Sequence, residues 1–88
     1  MSVLTSEQLR AARGLLRWEQ KDLAAASGVS VPTIKRLEGG DGPLRAYAST
    51  VDALTRALES AGVELIPENG RGPGVRLRER LASPVSPK

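Results

Sequence analysis

The sequence predicts a mainly α-helical fold: four short helices followed by a pair of short β-strands. Three observations lead to it. Four segments carry apolar residues at helical spacing, each opened by a capping residue or closed by a glycine. After Gly62 the spacing changes to strict alternation. Trp18 and Tyr47 are the only aromatics in 88 residues, so Leu, Val, Ile and Ala must build the core, and small aliphatic side chains suit short helices in close approach.

Thr5 is followed three residues later by Gln8, the spacing of a capping box, and Leu4 and Leu9 stand where a hydrophobic staple would close over it. The first helix is therefore placed at residues 6–16, with Leu9, Ala12 and Leu16 on its apolar face and Gly14 tolerated in its interior. The second runs over residues 20–27. Leu23 and Ala24 face inward, Asp22 in the first turn suits the helix dipole, and Gly28 ends it. Trp18, just before this helix, belongs at the edge of the core. Ser30 caps the third helix, residues 31–38, with Val29 and Ile34 as staple and Pro32 in the first turn, where a missing N–H does no harm. Gly39 and Gly40 close it. Residues 41–48 read as a loop containing Gly42 and Pro43. Ser49 and Asp52 then start a fourth helix at residues 50–61, with Val51, Leu54 and Leu58 on one face. Two strands follow, at residues 63–66 and 75–78, with Val63, Leu65, Val75 and Leu77 alternating against polar neighbours. Between them lies a Gly/Pro/Asn-rich stretch. Residues 79–88, with Pro84 and Pro87, read as a flexible tail.

Composition bounds the function. The chain has room for one domain, contains neither cysteine nor histidine, and carries a formal net charge of +3. Disulfides and the usual zinc sites are excluded, and nothing calls for a cofactor. Gly70, Gly72 and Gly74 are not a phosphate-binding loop, because no Lys-Ser/Thr follows them and no strand leads into a helix there. Without histidine, cysteine, a nucleophile elbow or paired carboxylates, an enzyme is not expected. No stretch reaches the length of a membrane span and the N-terminal residues lack the pattern of a secretory signal, so a cytoplasmic protein is expected. The basic excess suits a polyanionic partner.

The second and third helices are joined by only Gly28, Val29 and Ser30. Helices crossing steeply at such a turn approach closest at one point, which requires a small residue, Ala24, and a glycine free to take positive φ. Val29, Ile34 and Leu37 would anchor the third helix and leave Val31, Pro32, Lys35 and Arg36 outward. Arg71, Arg76, Arg78 and Arg80 form a second basic group: most simply an exposed strand face that discourages unwanted pairing, with contact to the backbone of a polyanionic partner as the alternative.

Gln20, Leu23, Ala24, Gly28, Val29, Ser30, Thr33, Ile34, Leu37 and Glu38 together closely resemble the signature of the Cro/repressor helix-turn-helix family. The resemblance covers residues 5–62. It implies a repressor-like DNA-binding domain whose second motif helix lies in the major groove while the first crosses the backbone. Carried over by position, Val31, Pro32 and Arg36 face bases, Gln20 and Thr33 meet phosphates, and Lys35 also contacts DNA. Arg13 and Glu38 stand where several such repressors form an ion pair between the first and third helices. Two departures matter. Glu19 replaces the usual Ser or Thr before Gln20, costing a cap and placing a negative charge near the phosphates. Val31 and Pro32 replace residues that are often polar, which shifts readout toward thymine methyls, with Arg36 left for guanine.

The resulting expectation is a homodimeric transcription regulator, a repressor bound to double-stranded DNA at a palindromic operator. The alternative is an antitoxin or antiactivator that grips a second regulatory protein with the same fold. Because a lone hairpin of such short strands is unstable in water, residues 63–78 are expected to pair with a second copy, with Val63, Leu65, Val75 and Leu77 buried at the dimer interface. That divides the chain into a DNA-binding part, residues 1–62, a dimerisation segment, 63–78, and the tail.

Overall fold

The computed structural model describes residues 4–79. Helix α1, Ser6–Leu16, begins at the expected capping box: the Thr5 hydroxyl accepts from Gln8 N–H at 3.0 Å and the Gln8 Oε1 accepts from Thr5 N–H at 3.0 Å. Leu4 and Leu9 are both buried, as a staple requires. Helix α2, Gln20–Ser27, ends at Gly28 with φ +79°, the left-handed conformation that makes the three-residue turn possible. Helix α3, Val31–Glu38, starts with the Ser30 side chain accepting from Thr33 N–H at 3.3 Å.

Helix α4, Ala48–Ser60, begins two residues before its expected start. Ser49 does not cap it. The carbonyl of Tyr47 accepts from both Thr50 N–H and Val51 N–H at 3.0 Å, so backbone alone closes the first turn and no side-chain cap is used. Strands β1, Val63–Ile66, and β2, Gly74–Leu77, pair antiparallel with Val63 opposite Leu77 and Leu65 opposite Val75. β2 starts one residue earlier than expected, because a glycine pairs through its backbone while contributing nothing to a side-chain alternation. Arg78 lies just past β2, its N–H donating to the Gly62 carbonyl at 2.8 Å. Arg80 and the rest of the expected flexible tail beyond Glu79 lie outside the described residues.

Leu9, Leu23, Ile34, Leu54, Leu58 and Val63 are the fully buried large side chains, so all four helices and β1 meet in one core. Trp18 packs half-buried against it. The alternation of the strands puts Val63, Leu65, Val75 and Leu77 on one face, and that face lies on α1 and α4 of the same chain. The Gln8 amide completes the attachment by donating from Nε2 to the carbonyls of Ile66, at 3.1 Å, and Gly74, at 2.9 Å. One side chain thus caps α1 and holds both strands.

This corrects the reason for expecting the hairpin to await a second copy. A lone hairpin is unstable in water, but this one has its apolar face covered within its own chain. Val63 is 0 % exposed and has no surface left to offer a partner, while Leu65, Val75 and Leu77 are half-buried against the same core. A boundary between Gly62 and Val63 would cut through packed core. Sequence spacing identifies an apolar strand face but not which surface covers it.

Val63→Ala should therefore lower the stability of the chain by about 1–3 kcal/mol, measured by urea denaturation, and leave self-association unchanged in sedimentation. A substitution that weakens association while sparing the fold of the single chain would place Val63 between copies instead.

Candidate nucleic-acid interface

The outward face of α3 follows from what the inward face must do. Ile34, Leu37 and Glu38, at helical spacing, are buried, and this turns Pro32, Lys35 and Arg36 to the outside, where all three are exposed. Val31 and Thr33 flank them, each half-buried. The turn before α3 is tied internally. The Ser27 hydroxyl donates to the Leu23 carbonyl at 2.7 Å and accepts from Val29 N–H at 3.1 Å. The Ser30 hydroxyl donates to Thr33 Oγ1 at 3.0 Å, so the hydroxyl proton of Thr33 remains free to donate outward.

The inward end of α3 is held by charge. Glu38, 6 % exposed, receives a two-pronged Arg13 guanidinium, Nε to Oε2 at 2.8 Å and Nη2 to Oε1 at 2.9 Å. Gln20 Nε2 donates to the same Oε1 at 3.0 Å. Arg13 also donates from Nη1 to the Trp18 carbonyl at 2.8 Å, and Arg10 donates to the carbonyls of Glu38 and Gly40. Burial alone would raise the Glu38 pKa, but hydrogen bonds from Arg13 and Gln20 and the nearby positive charges outweigh it and hold the carboxyl below its ordinary value. The same contact raises Arg13 further above its ordinary value.

Gln20, expected at phosphate, is thus half-buried with one amide N–H committed to Glu38. Glu19 lacks the short hydroxyl of a good cap, and Asp22 works from the other side: its Oδ2 accepts from Glu19 N–H at 2.8 Å. Lys21 stands 3.8 Å from the exposed Glu19 carboxylate and offsets its charge.

Beside the exposed face of α3 lies a shallow hollow lined by Thr33, Arg36, Arg45, Ala46, Tyr47 and Thr50. Arg36 Nη1 points to the Arg45 carbonyl at 3.4 Å, and Tyr47 is 84 % exposed. Arg45 and Tyr47 were not among the residues expected at the site, since the loop carrying them has no periodicity to orient it. Their types were the available signal: the one cation and the one aromatic in a segment otherwise made of Asp41, Gly42, Pro43, Leu44, Ala46 and Ala48.

The family model described as a helix-turn-helix domain matches residues 6–65. The chain belongs to the helix-turn-helix domain family. No curated protein matches it. The match extends past Gly62 into β1, in keeping with the burial of Val63 in the helical core. In this helix-turn-helix, α2 and α3 are the motif helices and Gly28 to Ser30 the turn, and the domain points to DNA-binding regulation. Among the described residues no helix is long and apolar enough to cross a membrane.

Two measurements test the ion pair that orients the motif. Arg13→Ala and Glu38→Ala should each destabilise the chain by on the order of 3 kcal/mol, and the double variant by clearly less than their sum, because no unpaired buried charge then remains. Strict additivity would separate the two side chains. Since the folded-state pKa of Glu38 is depressed, its stabilisation is fully present above the ordinary value of 4.5 and is lost as the pH falls below it through the folded-state value. The stability gap between the unmodified chain and Glu38→Gln should accordingly narrow in acid denaturation series run below pH 4.5.

Proposed function

We propose that the protein is a sequence-specific, non-enzymatic transcription regulator that binds a palindromic DNA operator as a homodimer and acts as a repressor. The observation that carries this reading is the exposed Pro32, Lys35 and Arg36 on α3, opposite the buried Ile34 and Leu37, inside a chain of the helix-turn-helix family. In such a motif the second helix enters the major groove with its first residues at base edges. Arg36 then meets a guanine, where its two-pronged donor geometry matches O6 and N7. Lys35, Arg45, the hydroxyl proton of Thr33 and the second amide N–H of Gln20 are the donors available to phosphates, which position the helix but carry no sequence information.

A single short recognition helix reads few base pairs. Two copies related by a two-fold axis, with recognition helices roughly 34–36 Å apart, read half-sites one helical turn apart and multiply the discrimination. The hairpin supports this arrangement differently from the sequence expectation. Val63 belongs to the chain's own core, while β2 has β1 as its one described strand partner and leaves a second edge on which another copy can add. Occupying a promoter in this way excludes polymerase, hence repression.

Arg36→Ala should weaken binding to the operator by about 1–3 kcal/mol and relax one base position, with a smaller loss on random DNA. Equal losses on both would assign Arg36 to phosphate. Selection of the full chain on a randomised duplex library should return an inverted repeat bound by two chains, and a promoter carrying that site should be transcribed less as protein is added. A single asymmetric site bound by one chain would overturn the homodimer.

A further inference from the structure

The start of the recognition helix has an unusual chemistry for a surface that must discriminate bases. Its polar side chains are engaged with one another, the exposed Ser30 capping Thr33 N–H and donating to the Thr33 hydroxyl, while Gln20, at the start of α2, donates to the buried Glu38 carboxylate. Beside these two hydroxyls the exposed ring of Pro32, with the half-buried Val31 next to it, presents an apolar surface outward. Proline in the first turn has no backbone N–H to offer either. The exposed cations, Lys35 and Arg36, come three and four residues later, roughly 5–6 Å further along the helix axis at 1.5 Å per residue.

An apolar surface in the major groove finds one apolar group on a base edge, the C5 methyl of thymine. It has no donor or acceptor with which to respond to the groups that distinguish thymine from cytosine, namely the oxygen or amine at C4 and the edge of the paired purine. Cytosine methylated at C5 presents its methyl at the same place in the groove. Resting on the DNA-binding reading above, we propose that Val31 and Pro32 read a pyrimidine methyl and not the identity of the base, so that 5-methylcytosine substitutes for thymine at that position and cytosine methylation strengthens binding. The operator position under Pro32 is then sensitive to methylation, and Arg36 supplies the hydrogen-bonded base identity about two base steps away, at 3.4 Å per step.

The test uses the full chain and the duplex obtained by selection from a randomised library. Each thymine of the selected half-site is replaced in turn by deoxyuridine, deoxycytidine and 5-methyldeoxycytidine, with the complementary purine adjusted, and the dissociation constants are compared. At one position deoxyuridine should weaken binding about fourfold, the equivalent of one buried methyl at ~0.8 kcal/mol. There, 5-methyldeoxycytidine should stay within about twofold of thymine and bind about fourfold more tightly than deoxycytidine. Pro32 is exposed, so Pro32→Ser leaves the core untouched, and it should bring the thymine-to-deoxyuridine ratio close to one while the melting temperature of the free protein changes little. If every thymine tolerates deoxyuridine, or 5-methyldeoxycytidine binds as poorly as deoxycytidine, methyl reading is overturned while DNA binding stands. A ratio that persists in Pro32→Ser overturns the assignment to this face. If selection enriches no duplex at all, the DNA-binding reading itself fails.

Discussion

Three helices meet at the carboxylate of Glu38, the one buried charge among the described residues. Moving a carboxylate out of water costs several kcal/mol unless it is paired and its oxygens are satisfied. Here both oxygens accept from the Arg13 fork and one accepts from Gln20 as well, while Arg10 reaches the carbonyl of the same residue. The geometry is demanding, because α1 must bring Arg13 and the start of α2 must bring Gln20 to the last turn of α3. A shifted or rotated α3 would strand the charge. The ion pair therefore acts on the site at a distance: it holds the helix whose other face carries Pro32, Lys35 and Arg36.

That arrangement has a consequence for recognition. Gln20 is drawn inward to Glu38, and the Ser30 hydroxyl, though exposed, is committed to the N–H and hydroxyl of Thr33. The turn is tied internally, and the polar reach left there is narrowed to the Thr33 hydroxyl proton and the second Gln20 amide N–H. What remains outside is divided in space, with apolar surface at the first turn of α3 and positive charge toward its end, where Arg36 lies beside Arg45 and Tyr47.

The hairpin is the second place where one side chain serves two elements. Gln8 accepts from Thr5 N–H and donates to the carbonyls of Ile66 and Gly74, so the cap of α1 and the docking of the strands form together. The apolar face of the strands extends the helical core, with Val63 in the same buried cluster as Leu9, Leu54 and Leu58. The outer face carries the exposed Glu64 and Arg76, paired across the strands at 3.1 Å. Such a pair is screened by water and contributes little to stability. It keeps that face polar.

The local chemistry of the sequence was enough to determine α1, α2 and α3, because caps, glycines and periodicity act within a few residues. Thr5 with Gln8, Gly28, and Ser30 with Pro32 each specify a boundary without help from distant parts of the chain. The start of α4 was not legible in the same way: Ser49 has the right chemistry for a cap, but the carbonyl of Tyr47 closes the turn first. The pairing of Arg13 with Glu38 was legible only through the family resemblance, since nothing local links residues 25 positions apart. Only the tertiary structure decided that Gln20 turns inward, that Arg45 and Tyr47 lie beside Arg36, and that Val63, Leu65, Val75 and Leu77 lie on their own chain's helices. The physical reason is common to all three. Side-chain alternation and residue type say which groups seek burial or a partner, and the surface that supplies it is set by how the helices pack, through contacts between residues far apart in sequence.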